Sequence, residues 1–189
     1  MTKDFDAPER IKNVPEQTFK DEPITPGKKY RAKELLTRMI VNSDNRATLI
    51  INESMDISIF KKLFTDLGIP EPDPHDPNFK IDVSDLSKFM NILYNATYLN
   101  KSNSEYALSL LIESSFTQGI VSGIPADIKV AHKFGETGNN TEAQLHETAI
   151  VYLDNDPYLI TIMTKGKDVQ RLPEALSGLS KITYQKMKS

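Results

Sequence analysis

The stretch KVAHKFGETGNNTEAQLHETAIVYLDNDPYLITIMTKG, residues 129–166, decides the fold. Three runs within it, Lys129 to Phe134, Gln144 to Leu153 and Tyr158 to Thr164, are rich in the β-branched and aromatic residues that suit strands. Between them stand Gly138-Asn139-Asn140 and Asp154-Asn155-Asp156-Pro157, short polar segments made of turn formers. Turns this short join only antiparallel neighbours, so the pattern predicts a three-stranded meander. Downstream, Lys167 to Met187 reads as an amphipathic helix presenting Leu172, Leu176 and Leu179, able to cover one face of that sheet.

Upstream the apolar period changes to that of helices. Leu35, Leu36, Met39 and Ile40 share one face of a segment that begins near Ala32 and breaks at Asn42-Ser43-Asp44-Asn45. A second helix is predicted from Ala47 to Met55. A third, from Ile57 to Leu67, turns Ile59, Phe60, Leu63, Phe64 and Leu67 inward and stops at Gly68. Residues 68–80 hold four prolines, which excludes regular structure there. Asp82 or Ser84 then caps a helix with the face Leu86, Phe89, Met90, Leu93 and Tyr94, and another runs from Ser104 to Ile112. The fold class is α+β: a mostly helical lobe, then the meander and a C-terminal helix. Residues 1–29, polar and proline-bearing, read as an extended connector or a frayed tail. Residues 30–189 read as a single domain, with the helical lobe at 30–122 and the sheet and last helix at 123–189.

Composition removes several function classes. A formal net charge of −3 over 189 residues leaves no basic footprint for nucleic acid. The longest apolar run, Thr148 to Leu153, is far too short to span a membrane, and the polar start Met-Thr-Lys-Asp-Phe-Asp holds no signal-peptide core. There is no cysteine, and His75, His132 and His146 lack metal-ligand spacing, so neither a metal nor a cofactor is expected.

Chemistry concentrates in a few blocks. Ser43-Asp44-Asn45 sits in a loop between two helices, where such side chains ordinarily cap. Ninety residues on, Lys133-Phe134-Gly135 lies on a strand, followed by His146-Glu147 on the next and Thr164-Lys165-Gly166 closing the third. Each block is weak alone, but their order and spacing form a specific set.

From about residue 30 onward, these blocks resemble the second and third motifs of the class A β-lactamase and penicillin-binding serine hydrolases, which use S-x-x-K, S-D-N and K-[TS]-G in that chain order. The resemblance implies acyl transfer on a β-lactam or a D-Ala-D-Ala-like, peptidoglycan-type amide. Ser43 would shuttle a proton to the leaving nitrogen. Asn45 would hydrogen-bond the substrate's side-chain amide. Lys133 would supply positive charge beside Ser43. Gly135 and Glu136 would line the substrate strand, with the Glu136 backbone N–H in the oxyanion hole. It also implies a place outside the cytoplasm.

Three departures shape the expectation. The family's S-x-x-K precedes S-D-N, yet residues 1–42 hold no serine, and the only match is Ser58-Ile59-Phe60-Lys61. The missing part would include the helix with the nucleophile and two strands completing the sheet, which agrees with a meander too thin to bury both faces. Phe134 replaces a Thr or Ser, and losing a hydroxyl that binds a carboxylate costs roughly 1.5–3 kcal/mol. The family's deacylating Glu-x-x-Leu-Asn is also lacking, since Glu71 sits in the proline-rich loop without that pattern. The expected function is therefore a portion of such a hydrolase, inactive as this chain alone and completed by a further N-terminal segment or a second chain. The alternative is a non-catalytic binding or scaffold protein.

Overall fold

The computed structural model describes residues 3–15, 24–72, 80–138, 142–154 and 156–189. His75, much of the proline-rich loop, Asn139, Asn140 and Asn155 lie outside them.

Six α-helices and two small sheets are described. Strands β1 (Asp4–Asp6) and β2 (Lys29–Arg31) pair antiparallel with Phe5 opposite Tyr30, and a 3-10 helix, Glu9–Asn13, follows β1. The leading segment is therefore not an extended connector throughout. Its sparse apolar residues Ile11 and Ile24 are fully buried and join Tyr30, Leu35, Ala47 and Ile50 in one cluster, which gives the segment a reason to fold back.

The helices are α1 (Ala32–Val41), α2 (Asn45–Ser54), α3 (Ile57–Asp66), α4 (Val83–Tyr94), α5 (Lys101–Ile112) and α6 (Leu172–Met187). Four of them start where a side-chain oxygen accepts an otherwise orphaned N–H, from Asp44, Asp56, Asp82 and Asn100. Asn100 moves the start of α5 three residues ahead of the expected Ser104. In α3 the helical pitch buries Phe64 but leaves Ile59 60% exposed, so Ile59 does not face inward as expected.

Strands β3 (Val130–Gly138), β4 (Ala143–Val151) and β5 (Tyr158–Gly166) form the expected meander in the order β3-β4-β5. Lys133 lies opposite Thr148, Phe134 opposite Glu147, and Glu147 opposite Ile162. One face buries Ala131 and Ile150 against Met90, Leu108 and Leu111 of α4 and α5. The other buries Val130, Phe134, Leu145, Ala149, Ile160 and Ile162 against α6 and the segment Phe116 to Ile124. The sheet is thus the middle layer between two helical layers, so the meander is not, as expected, too thin to bury both faces: α4 and α5 cover the face that α6 leaves.

The last helix starts later than predicted. Asp168 holds a 3-10 turn, Val169–Arg171, and Pro173 sits in the first helical turn, where its missing N–H is harmless. Leu172, Leu176, Ser180 and Tyr184 form its buried stripe. Leu179, expected on that face, is 49% exposed because the i+4 spacing passes it by.

Candidate active site

The Ser-Asp-Asn loop is short because it has only to turn α1 into α2. Ser43 makes the turn in the left-handed region, at φ 54°, a conformation that costs a non-glycine residue about 1–3 kcal/mol. Several backbone bonds hold it there. Asn42 and Asp44 both donate N–H groups to the Arg38 carbonyl at 3.1 Å, and Ser115 donates its backbone N–H and its hydroxyl to the Val41 carbonyl. Asp44 caps α2, accepting from the N–H groups of Arg46 (2.8 Å) and Ala47 (3.2 Å), so it holds the loop. Asn45, the first residue of α2, is exposed.

Across the lobe boundary stands Lys133. Its Nζ donates to the Ser43 Oγ, joining residues 90 apart in sequence, and to the Phe134 carbonyl at 3.0 Å. The same ammonium lies 4.8 Å from the centroid of the Phe134 ring, a cation–π contact. Burial pushes the Lys133 ammonium down to about 8, with the negative charge of Glu147 opposing that fall. A lysine so placed exchanges its proton near neutral pH, and a buried hydroxyl stands within its reach.

Gly135 and Glu136 continue β3 past Lys133. A Cβ at Gly135 would meet nothing within 4 Å, so the strand is open at that point. As β3 lies at the edge of its sheet, alternate backbone N–H and C=O groups face away from β4 and can pair with an extended ligand.

The Phe134 ring is 4% exposed and stacks on Phe116, with centroids 4.4 Å apart and planes at 28°. The hydroxyl of the family pattern is replaced by a core contact that also flanks the ammonium. Ser58 and Lys61 lie on the exposed side of α3, and Lys61 pairs with Glu71 at 2.7 Å. That ion pair also accounts for Glu71.

Sequence reasoning missed one pair. His132, set aside for want of metal spacing, and Glu147, read only as part of the His146-Glu147 block, are both buried, and the His132 Nδ1 lies 2.7 Å from the Glu147 Oε1. The signal was legible: in Leu145-His146-Glu147-Thr148-Ala149, the period of two puts Glu147 on the face of Leu145 and Ala149. Among the described residues, no three of His, Asp and Glu gather to ligate one metal ion.

Comparisons with known proteins bear on the family and the fold. The profile of the beta-lactamase enzyme family matches residues 4–187. The structure of PBP-A is similar at 18% identity and a TM-score of 0.78, over 99% of this chain and 72% of that one. The chromosome-encoded beta-lactamase of Vibrio parahaemolyticus matches at 17% identity and 0.77, over 98% and 75%. A beta-lactamase from Francisella tularensis matches at 17% and 0.77, over 99% and 76%. At these identities the likeness speaks for the fold alone. No curated protein matches the sequence.

Proposed function

The chain belongs to the beta-lactamase enzyme family, and from that premise we propose that it carries the proton-handling and substrate-aligning half of a serine-hydrolase-type acyl-transfer site. Its ligands are β-lactams or D-Ala-D-Ala-like peptides of the cell envelope, met outside the cytoplasm. The observation that carries this reading is the hydrogen bond from Lys133 to Ser43, between a lysine brought down to about 8 and a serine held in a left-handed turn. Ser43 relays a proton between Lys133 and the leaving nitrogen. Asn45 hydrogen-bonds the ligand's side-chain amide. The ligand lies along the open edge of β3 at Gly135, with the Glu136 N–H polarising its carbonyl.

The nucleophile is not part of this half. Residues 1–42 hold no serine, and Ser58 is exposed on α3 beside a lysine engaged by Glu71. By itself the chain therefore binds such ligands without turning them over, and a further N-terminal segment or a second chain would supply the attacking serine. A reading as a non-catalytic binding protein draws on Phe134, whose ring serves the core rather than a substrate carboxylate.

The two halves of this reading are tested separately. Binding of a penicillin or a D-Ala-D-Ala peptide, followed by NMR or calorimetry, is expected for the chain and weakened about tenfold or more by Lys133→Met. Absence of any binding would remove the reading. Incubation with a fluorescent penicillin followed by denaturing electrophoresis is expected to leave no covalent label. A label on this chain would show that it holds its own nucleophile.

A further inference from the structure

The least expected charge in the molecule is Glu147. It sits mid-strand in β4 with 0% exposure, in the apolar layer formed by Phe116, Phe134, Leu145, Ala149 and Ile162. A carboxylate in such a layer is costly unless its oxygens are satisfied, and here both are. Oε2 accepts the Ile120 N–H at 2.7 Å, and Oε1 accepts from the His132 Nδ1 at 2.7 Å, with His132 itself 2% exposed. Space is kept for this arrangement. A Cβ at Gly119 would come within 2.1 Å of the Glu147 Oε2 and 2.7 Å of the Phe116 ring.

The contacts continue on both sides of the pair. Ser180 of α6 donates its hydroxyl to the Ile120 carbonyl at 2.9 Å, tying the last helix to the same turn. His132 immediately precedes Lys133 on β3. Phe134, which follows Lys133, lies opposite Glu147 in the register and places its ring beside the lysine ammonium. Both chain neighbours of Lys133 are thus held by, or packed beside, one buried carboxylate. Stability alone is a weak account of it, because replacing buried polar or charged groups with well-packed apolar residues is often neutral or stabilising.

We infer that Glu147, acting with His132, is a positioning residue for Lys133, fixing β3 and the charge environment in which the lysine meets Ser43. Glu147 does not touch the ligand. It works through His132 and the strand, and its negative charge is the influence that opposes the loss of the Lys133 proton on burial. This inference rests on the proposed proton-handling role of Lys133, but its test does not use activity.

The Lys133 side chain is to be titrated by NMR in protein with isotope-labelled lysine, its resonance assigned by loss in Lys133→Met. The parent midpoint is expected near 8. Glu147→Gln keeps the shape and an acceptor for the Ile120 N–H but removes the charge, and is expected to shift the midpoint down. Gly119→Ala keeps the charge but displaces the carboxylate, and is expected to speed amide hydrogen exchange in Ala131–Phe134 about tenfold or more. An unchanged or raised midpoint in a folded Glu147→Gln protein would overturn the inference. So would unchanged exchange in Gly119→Ala, which decides the matter alone if Glu147→Gln does not fold. If these shifts occur while no β-lactam or peptide binds, the proposed function fails and the positioning role stands.

Discussion

Lys133 sits where burial of its charge costs stability. Its midpoint near 8 lies below the 10.5 of a free lysine, so between those values the unfolded chain binds more protons than the folded one. Folding stability contributed by this group therefore rises from pH 8 to pH 10.5, and below pH 8 burial of the ammonium is a constant cost. That cost is about 3 kcal/mol at most, since Lys133 keeps some solvent contact. Lys133→Met is expected to melt higher than the parent at pH 7, the gain shrinking as pH rises from 8 to 10.5, in thermal denaturation followed across that range. Phe134 behaves oppositely. Phe134→Thr restores the hydroxyl of the family pattern but removes a ring stacked on Phe116, and is expected to destabilise by about 3–4 kcal/mol in urea unfolding. Sequence alone marked both positions, through the order and spacing of the blocks rather than through Lys133-Phe134-Gly135 by itself. It did not reveal the direction of the Phe134 ring, which depends on Phe116, eighteen residues away in the segment that follows α5.

At the level of elements, boundaries followed local chemistry closely. The loop Ser43-Asp44-Asn45 was legible as a helix cap because Asx residues satisfy the first N–H groups of a helix whatever surrounds them, and the structure gives that role to Asp44. Asp44→Ala is expected to cost about 1 kcal/mol and to fray the first turn of α2, read by denaturant unfolding and by faster exchange of the Arg46 and Ala47 amides. A larger loss would show that the cap also holds Ser43 in its left-handed turn. The strands too were legible, to within a few residues, from their period of two and from the turn residues between them. Helix faces were less so. Leu179 and Ile59 were assigned inward from apolar spacing, yet which side of an amphipathic helix is buried depends on its rotation against neighbours. The leading segment misled for a related reason. Two isoleucines in a polar stretch give no period, and only packing against Leu35, Ala47 and Ile50 makes them core.

Across the whole molecule, the sheet is covered on both faces but has an open side. The outer edge of β5 has no partner strand among the described residues, and Leu159, Leu179 and Ile182 are 40%, 49% and 55% exposed. Unpaired edges and exposed apolar side chains favour association. The chain is expected to self-associate with rising concentration in light scattering, and Leu179→Glu with Ile182→Lys to reduce this without lowering the unfolding free energy by more than about 0.5 kcal/mol. A sharp monomeric melt at all concentrations would run against it. The sequence by itself determined the α+β class and the meander, and it marked the Ser43 and Lys133 blocks. All of these are written in short-range chemistry: periodicity, turn residues and caps. Only the tertiary structure decided that Ser43 and Lys133 touch, that Phe134 faces the core, and that Glu147 and His132 share a buried contact. Each of these joins residues distant in the chain, or depends on how a side chain is rotated and buried, which packing sets and local patterns do not encode.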